Sequence, residues 1–146
     1  MNRVVVDASV VLASLISDGP TGGLLLGHHD LEYYAPDVVV AELDPHMARV
    51  AERTAKPREI VAALFADILA HLEVVPVTAY AAFLPHARTR AKAAHAEGDE
   101  SYLALAEALS ASVWTYDKDF RRVAGLKLLS TREVRALAEA TRRGGT

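Results

Sequence analysis

Short, continuously apolar runs alternate along this chain with longer stretches in which apolar residues recur every three or four positions. The strand-like runs are Arg3–Val6, Leu31–Tyr34, Val74–Val77, Ser112–Thr115 and Leu126–Leu129. The first is apolar at consecutive rather than alternate positions, as a central strand covered on both faces requires. Helical spacing marks Ser9–Ile16, Leu24–His28, Pro36 to about Leu43, a continuation to about Thr54, Arg58–Leu72, Asp99–Leu109 and Arg132–Thr141. Strands alternating with helices predict an α/β domain with a mainly parallel sheet.

Punctuation between the runs sets the expected boundaries. DGPTGG reads as a turn, and Pro36 suits the first turn of a helix. Asp44-Pro45 reads as a fresh N-cap and first-turn pair that breaks or kinks the helical path. Thr78 is expected to cap a helix interrupted near Pro85. Asp99–Leu109 is apolar around most of its circumference, which predicts a covered, central helix. Ser130 and Glu133 match a capping box for the last helix, and the tail RRGGT is expected to fray. No repeat, low-complexity segment or linker interrupts the pattern. The expectation is one domain over residues 1–146, with its core over about 3–130 and the final helix over 131–141.

Four acids stand out against that apolar frame. Asp7 closes VVVDAS, Glu42 lies within VVVAEL, Asp99 opens GDESYLALAEAL, and Asp117 follows a strand in VWTYDKDF. Carboxylates in such company need partners, because an isolated buried charge is too costly to keep. Open parallel sheets bind ligands outside the carboxyl ends of their strands, where Asp7 and Asp117 are expected. Asp99 opens the helix leading into the strand before Asp117 and can reach the same edge, while Glu42 can reach inward from the flank. Several carboxylates together suit a hard divalent cation, Mg²⁺ or Mn²⁺, which also recruits phosphate oxygens. Such an ion lowers the pKa of its water and steadies charge on a scissile phosphodiester.

Each acid alone has an ordinary structural role. Asp7 and Asp99 can cap helices, Glu42 can face solvent, and Asp117 and Asp119 can make Asx turns. The four together, each in its expected setting, favour chemistry. Ser9 and Thr115, each two residues from a cluster acid, can donate to carboxylate or phosphate, although capping is the more ordinary role for Thr115.

Composition narrows the classes further. The chain has 146 residues, 51% apolar and 24% charged, as in an ordinary globular protein. The absence of cysteine excludes disulfides and thiolate metal sites and fits a reducing cytoplasm. No signal-peptide pattern opens the sequence, and no apolar run approaches the roughly 18 residues that span a bilayer. The expected location is therefore cytoplasmic, without a membrane partner. A net charge of −3 argues against a uniformly basic nucleic-acid binder. Basic clusters at Arg49/Arg53/Lys56/Arg58, Arg88/Arg90/Lys92 and Arg121/Arg122 can still hold phosphates around an acidic centre, or simply face solvent. The histidines show no ligand spacing, and no glycine-rich phosphate loop is present.

VVVDASVVL, the ESYLALAEAL stretch preceded by Asp99, and WTYDKDF together resemble the PIN domain. This is the ribonuclease fold used by VapC-type toxins of bacterial and archaeal toxin–antitoxin pairs, and the resemblance runs from about Arg3 to Ser130. It implies a three-layer α/β/α sandwich with a parallel sheet of about five strands. It also implies Mg²⁺- or Mn²⁺-dependent cleavage of RNA. Carried over residue by residue, the metal-binding acids fall on Asp7, Glu42, Asp99 and Asp117. Ser9 matches the hydroxyl after the first acid and Thr115 the one before the last, while Asp119 matches an outer or alternative ligand. Glu100 competes with Asp99 for register, and Asp44 is a candidate substitute near Glu42. The resemblance further implies a homodimer and an antitoxin whose basic side chains enter the acidic pocket. Rival readings fit less well: a haloacid-dehalogenase-like phosphatase needs an Asp where Ser9 stands, and a receiver domain needs more early acids and a better late lysine than Lys127. A PIN-fold module that binds without cleaving is the stronger alternative.

Overall fold

The computed structural model of the protein describes residues 2–17, 19–27 and 30–144. Five parallel strands form one sheet: β1 (Arg3–Val6), β2 (Glu32–Pro36), β3 (Glu73–Val75), β4 (Ser112–Trp114) and β5 (Leu128–Leu129), in the order β3-β2-β1-β4-β5. The helices are α1 (Ala8–Ile16), α2 (Pro20–Leu26), α3 (Val38–Leu43), α4 (Met47–Thr54), α5 (Arg58–Ala70), α6 (Leu84–Ala93), α7 (Glu100–Leu109) and α8 (Thr131–Gly144). Among the described residues, no single helix is long and apolar enough to cross a membrane.

The VVV run of β1 is apolar throughout because each face of the sheet has its own core. Val4 and Val6 join Tyr33, Ala35, Trp114 and Leu129 beneath α1, α5 and α8. Val5 points the other way and joins Tyr34, Val113 and the buried face of α7. Alternation along each strand therefore separates two apolar layers, giving the α/β/α sandwich. Register carries this across the sheet, with Val5 opposite both Tyr34 and Val113 and Val6 opposite Trp114. Tyr33 and Trp114 pack with ring centroids 5.8 Å apart. The α7 residues Tyr102–Ala106 are all buried, as the all-round apolarity of that segment anticipates.

Several boundaries differ from the expected ones, each for a local reason. Pro36 is the last residue of β2, opposite Val75, rather than the start of a helix. Its missing N–H is tolerated at a strand end, and Asp37 takes the N-terminal position of α3. Pro20 does begin a helix, so PTGG is helical instead of a turn and α2 starts before Leu24. His28, the expected end of that helix, lies outside the described residues. Pro76 ends β3 early, and Thr78 sits inside a 3₁₀ turn rather than capping a helix, which begins only at Leu84 with Pro85 in its first turn. Asp44 closes α3 and opens a 3₁₀ turn with Pro45, so it kinks the path without acting as an N-cap. β1 falls where expected, β2 starts one residue later and ends two residues later, β4 stops at Trp114, and β5 is only two residues long. The capping box forms as expected: Glu133 N donates to Ser130 Oγ and Ser130 N to Glu133 Oε1. It starts α8 at Thr131, and the helix continues through Gly144 where fraying was expected.

Leu103 has no exposed surface and packs with α6 and the β1–β4 face. Leu103→Ala is expected to lower stability by about 2–5 kcal/mol, with an unchanged denaturant slope in urea unfolding. A loss below about 1 kcal/mol would contradict this packing.

Candidate active site

The site forms where the chain changes direction across the sheet. From β1, the strand order runs outward to β2 and β3 on one side and to β4 and β5 on the other. The carboxyl ends of β1 and β4 therefore border a topological switch point, where open α/β sheets form a crevice. Asp7 N donates to Trp114 O at 3.0 Å, extending the ladder by one bond before the two chains part.

Asp7 is 5% exposed and is the only charged residue in the buried class among those described. Its Oδ2 accepts the Ser9 hydroxyl at 2.6 Å, the Thr115 hydroxyl at 2.8 Å and Ser9 N at 3.4 Å. The last bond makes Asp7 the N-cap of α1, so capping and burial coincide in one residue. Each hydroxyl has one proton, and both protons go to Asp7, so the 3.3 Å approach of Ser9 Oγ to Thr115 Oγ1 is a contact without a shared proton. The hydroxyl oxygens are used as acceptors in turn: Tyr116 N donates to Ser9 Oγ at 3.1 Å and Asp117 N to Thr115 Oγ1 at 2.9 Å. Thr115 thus both holds Asp7 and shapes the turn after β4, more than the plain cap expected of it. Burial raises the Asp7 pKa, and the bonds from Ser9, Thr115 and the adjacent backbone oppose that rise.

Asp99 stands at the N-terminal position of α7, yet its side chain makes no capping bond. Gly98, in a left-handed conformation with φ 101°, turns the chain into the helix. The neighbouring Glu100 folds its carboxylate back and accepts from Gly98 N at 2.8 Å. Burial pushes the Asp99 carboxyl up to about 7, with the charges of Asp7, Asp117, Glu42 and Asp119 adding to it in that order. The four carboxylates singled out in the sequence thus share one electrostatic neighbourhood, joined by Asp119. Asp44 is exposed and is not among the charges acting on Asp99.

Glu42 comes from the outer side of α3, whose Val39 and Leu43 are buried. Its Oε2 accepts the Tyr102 hydroxyl at 3.1 Å, and burial followed by the charges of Asp7 and Glu100 raises its pKa. Asp117 Oδ1 accepts Asp119 N at 2.9 Å and caps the 3₁₀ turn Lys118–Arg122, the Asx role open to it from sequence. Asp119 also pairs with Arg122 at 3.1 Å.

Two supporting residues escaped the sequence reading. Tyr102 looks like core because it lies in an apolar helix, yet its hydroxyl anchors Glu42. A buried tyrosine one helical turn after an acid was the available signal, since a buried phenol needs a partner. Asp37 accepts the Tyr80 hydroxyl on Oδ1 and Val77 N at 3.0 Å on Oδ2, tying the start of α3 to the segment after β3. That lock holds the short helix carrying Glu42 against the sheet edge.

The donor set is made of hard oxygens, the type that Mg²⁺ and Mn²⁺ prefer. Among the described residues, however, no group of three His, Cys, Asp or Glu side chains stands ready-made around a cation. The carboxylates share a field without closing into a shell.

A family model for the PIN domain matches residues 5–139. The chain belongs to the PIN domain family. Members of this family are generally nucleases. Two solved structures share the fold. VapBC2 from Rickettsia felis, bound to a DNA fragment from their promoter, matches with a TM-score of 0.68 and 17% identity, over 88% of this chain and 98% of that one. PAE2754 from Pyrobaculum aerophilum matches with a TM-score of 0.71 and 15% identity, over 95% of this chain and 90% of that one. No curated protein matches the sequence.

The raised Asp99 pKa has a thermodynamic consequence in metal-free protein. A carboxyl that titrates near 7 in the fold and at 3.8 when free costs stability as pH rises through that window, because the folded state binds the extra proton. The cost is complete above about pH 7 and absent below about pH 4. Asp99→Asn removes it. Since the group is half-exposed and screened, the gain is expected near 1 kcal/mol, or roughly 2–4 °C in melting temperature at pH 8. The gain should shrink towards zero by about pH 4 in thermal melts recorded with EDTA. A variant less stable than the parent at pH 8 would contradict the shared repulsion.

Proposed function

We propose that this PIN domain is a metal-dependent endoribonuclease acting as the toxin of a toxin–antitoxin pair, with Asp7, Glu42, Asp99 and Asp117 as its catalytic and metal-binding acids. The observation that carries the proposal is the gathering of these carboxylates at the switch point, where burial first and then the charges of Asp7, Asp117, Glu42 and Asp119 push Asp99 up to about 7. Side chains that repel one another at the one edge where open α/β sheets bind ligands call for a cation. The residues fit Mg²⁺ or Mn²⁺ in donor type and in their shared field. When bound, the ion would activate water and neutralise charge on a phosphodiester.

The remaining work falls to the chain itself. Ser9 and Thr115 hold Asp7 in one orientation, with three donors on Oδ2. Asp117 keeps its turn, and with it Asp119, against the same edge. Tyr102 steadies Glu42. An acidic pocket of this kind also suits Arg or Lys side chains from a protein inhibitor, which can occupy it through charge-assisted bonds. The fold shared with VapBC2 supports an antitoxin partner, and a homodimer and a cytoplasmic location belong to the same reading. One observation favours a second reading, a PIN-fold module that binds RNA or protein with little cleavage: no three acids are preassembled around a cation among the described residues.

The test is cleavage of a short single-stranded RNA and of total RNA by the purified chain with Mn²⁺ or Mg²⁺. EDTA should stop the reaction. Asp7→Asn and Asp99→Asn should each lower the rate by about 100-fold or more, as loss of an electrostatic contact at a reacting phosphate does, while circular dichroism shows an intact fold. Equal cutting by parent and variants, or cutting indifferent to EDTA, would overturn the catalytic assignment. Absence of cutting with retained binding would establish the second reading.

A further inference from the structure

Tyr116 lies between two site residues, Thr115 and Asp117, and the residue is 46% exposed. Large apolar side chains are exposed elsewhere on this chain, but the others among the described residues are aliphatic. An exposed aromatic normally moves through its rotamers. This one is held at both ends. Its backbone N donates to Ser9 Oγ at 3.1 Å, and through Ser9 it is tied to Asp7. Its phenol oxygen contacts Thr21 Oγ1 at 2.6 Å and also Thr131 Oγ1. Trp114 Nε1 donates to Thr131 Oγ1 at 3.1 Å, and indole can only donate. Thr131 Oγ1 thus accepts from the indole while contacting the phenol, so three hydroxyls and the indole form one network that fixes the far end of Tyr116. Both flanking groups are fixed: Trp114 is fully buried and Thr21 is 7% exposed.

The ring borders a cleft of about 440 Å³ that begins at Thr115 and Asp117 and is lined by Lys118, Arg121 and Arg132. Those three cations are exposed, and none takes part in an ion pair among the described residues. Glu133, the other acid of the lining, is occupied by its bond to Ser130 N. An immobilised aromatic face beside unpaired cations matches single-stranded nucleic acid, whose bases stack and whose phosphates need positive charge. A duplex offers no free base face there. The ordering cost of the platform is already met by the hydrogen bonds, so stacking loses little to side-chain entropy.

We propose that Tyr116 is a stacking platform for a nucleobase of RNA bound at the acidic edge, and that the Lys118–Arg121–Arg132 cleft receives the adjoining backbone. This makes the substrate single-stranded RNA and makes Tyr116 a specificity-determining residue. The inference rests on the acidic edge being where RNA is bound, but not on its being cut there.

The test compares parent, Tyr116→Phe and Tyr116→Ala, first in binding a single-stranded RNA oligomer carrying 2-aminopurine. The titration is done in EDTA, where metal-dependent cutting is absent and the acids act alike on every variant. KM and kcat with Mn²⁺ follow. Tyr116→Phe keeps the ring and should bind within about twofold of the parent, with the 2-aminopurine quench retained. Tyr116→Ala should weaken binding and raise KM by about 5- to 100-fold, the range for loss of one stacked base, with the quench lost and kcat little changed. Affinity for a duplex of the same sequence should be unchanged. Equal losses in Phe and Ala would identify Tyr116 as a strut between α2 and α8 and overturn the platform, as would no loss in either or no binding by the parent. If the binding pattern holds but nothing is cut, the platform stands and the nuclease reading alone fails.

Discussion

One carboxylate organises the functional edge of this domain. Asp7 is almost fully buried at the end of the central strand, and two hydroxyls and a backbone N–H that point at it offset part of the cost of burying its carboxylate. The rest of the edge is arranged around that requirement. Ser9 must start α1, Thr115 must follow β4, and the loop after β4 must fold so that Tyr116 N and Asp117 N reach the two hydroxyl oxygens. Two strands adjacent in space but far apart in sequence are thereby welded at their carboxyl ends. Burial, reinforced by the charge of Asp7, makes Asp99 and Glu42 harder to ionise, so the edge is set up to welcome a cation.

Much of this was legible in the sequence because it depends on local rules. An uninterrupted VVV run cannot be a half-exposed strand, and an acid directly after it falls at the ligand-binding edge of a parallel sheet. The apolarity of Asp99–Leu109 around most of its circumference marked α7 as covered, and its Tyr102–Ala106 stretch is buried; the Ser130–Glu133 pair marked the start of α8. Prolines were the main source of error, since the same residue suits a helix start, a strand end or a turn. Pro36 ends a strand and Pro20 begins a helix, and only packing against Val75 or α8 separates the cases.

What could not be read were the long-range partners. That Thr115 gives its proton to Asp7, that Tyr102 secures Glu42, and that Asp37 fastens Tyr80 each involve residues from 43 to 108 positions apart. Sequence spacing carries no such information when the elements are joined through a sheet. The Tyr116 relay is of the same kind, linking β4, α2 and α8 through three hydroxyls. The acids were visible because they break an apolar pattern, and Ser9 and Thr115 were visible as hydroxyls beside them; that both donate to the one carboxylate of Asp7, and that Tyr102 serves Glu42, was not.

The central claim is that the four carboxylates form one electrostatic unit whose repulsion a divalent cation relieves. The most direct measurement is the thermal stability of the parent chain titrated with Mn²⁺ at pH 8, with Asp7→Asn and Asp99→Asn alongside. The account predicts saturable stabilisation of the parent, reaching about 2.7 kcal/mol at 100 times the dissociation constant, and little or none in either variant. A parent that gains nothing from Mn²⁺, or variants that gain as much as the parent, would contradict it.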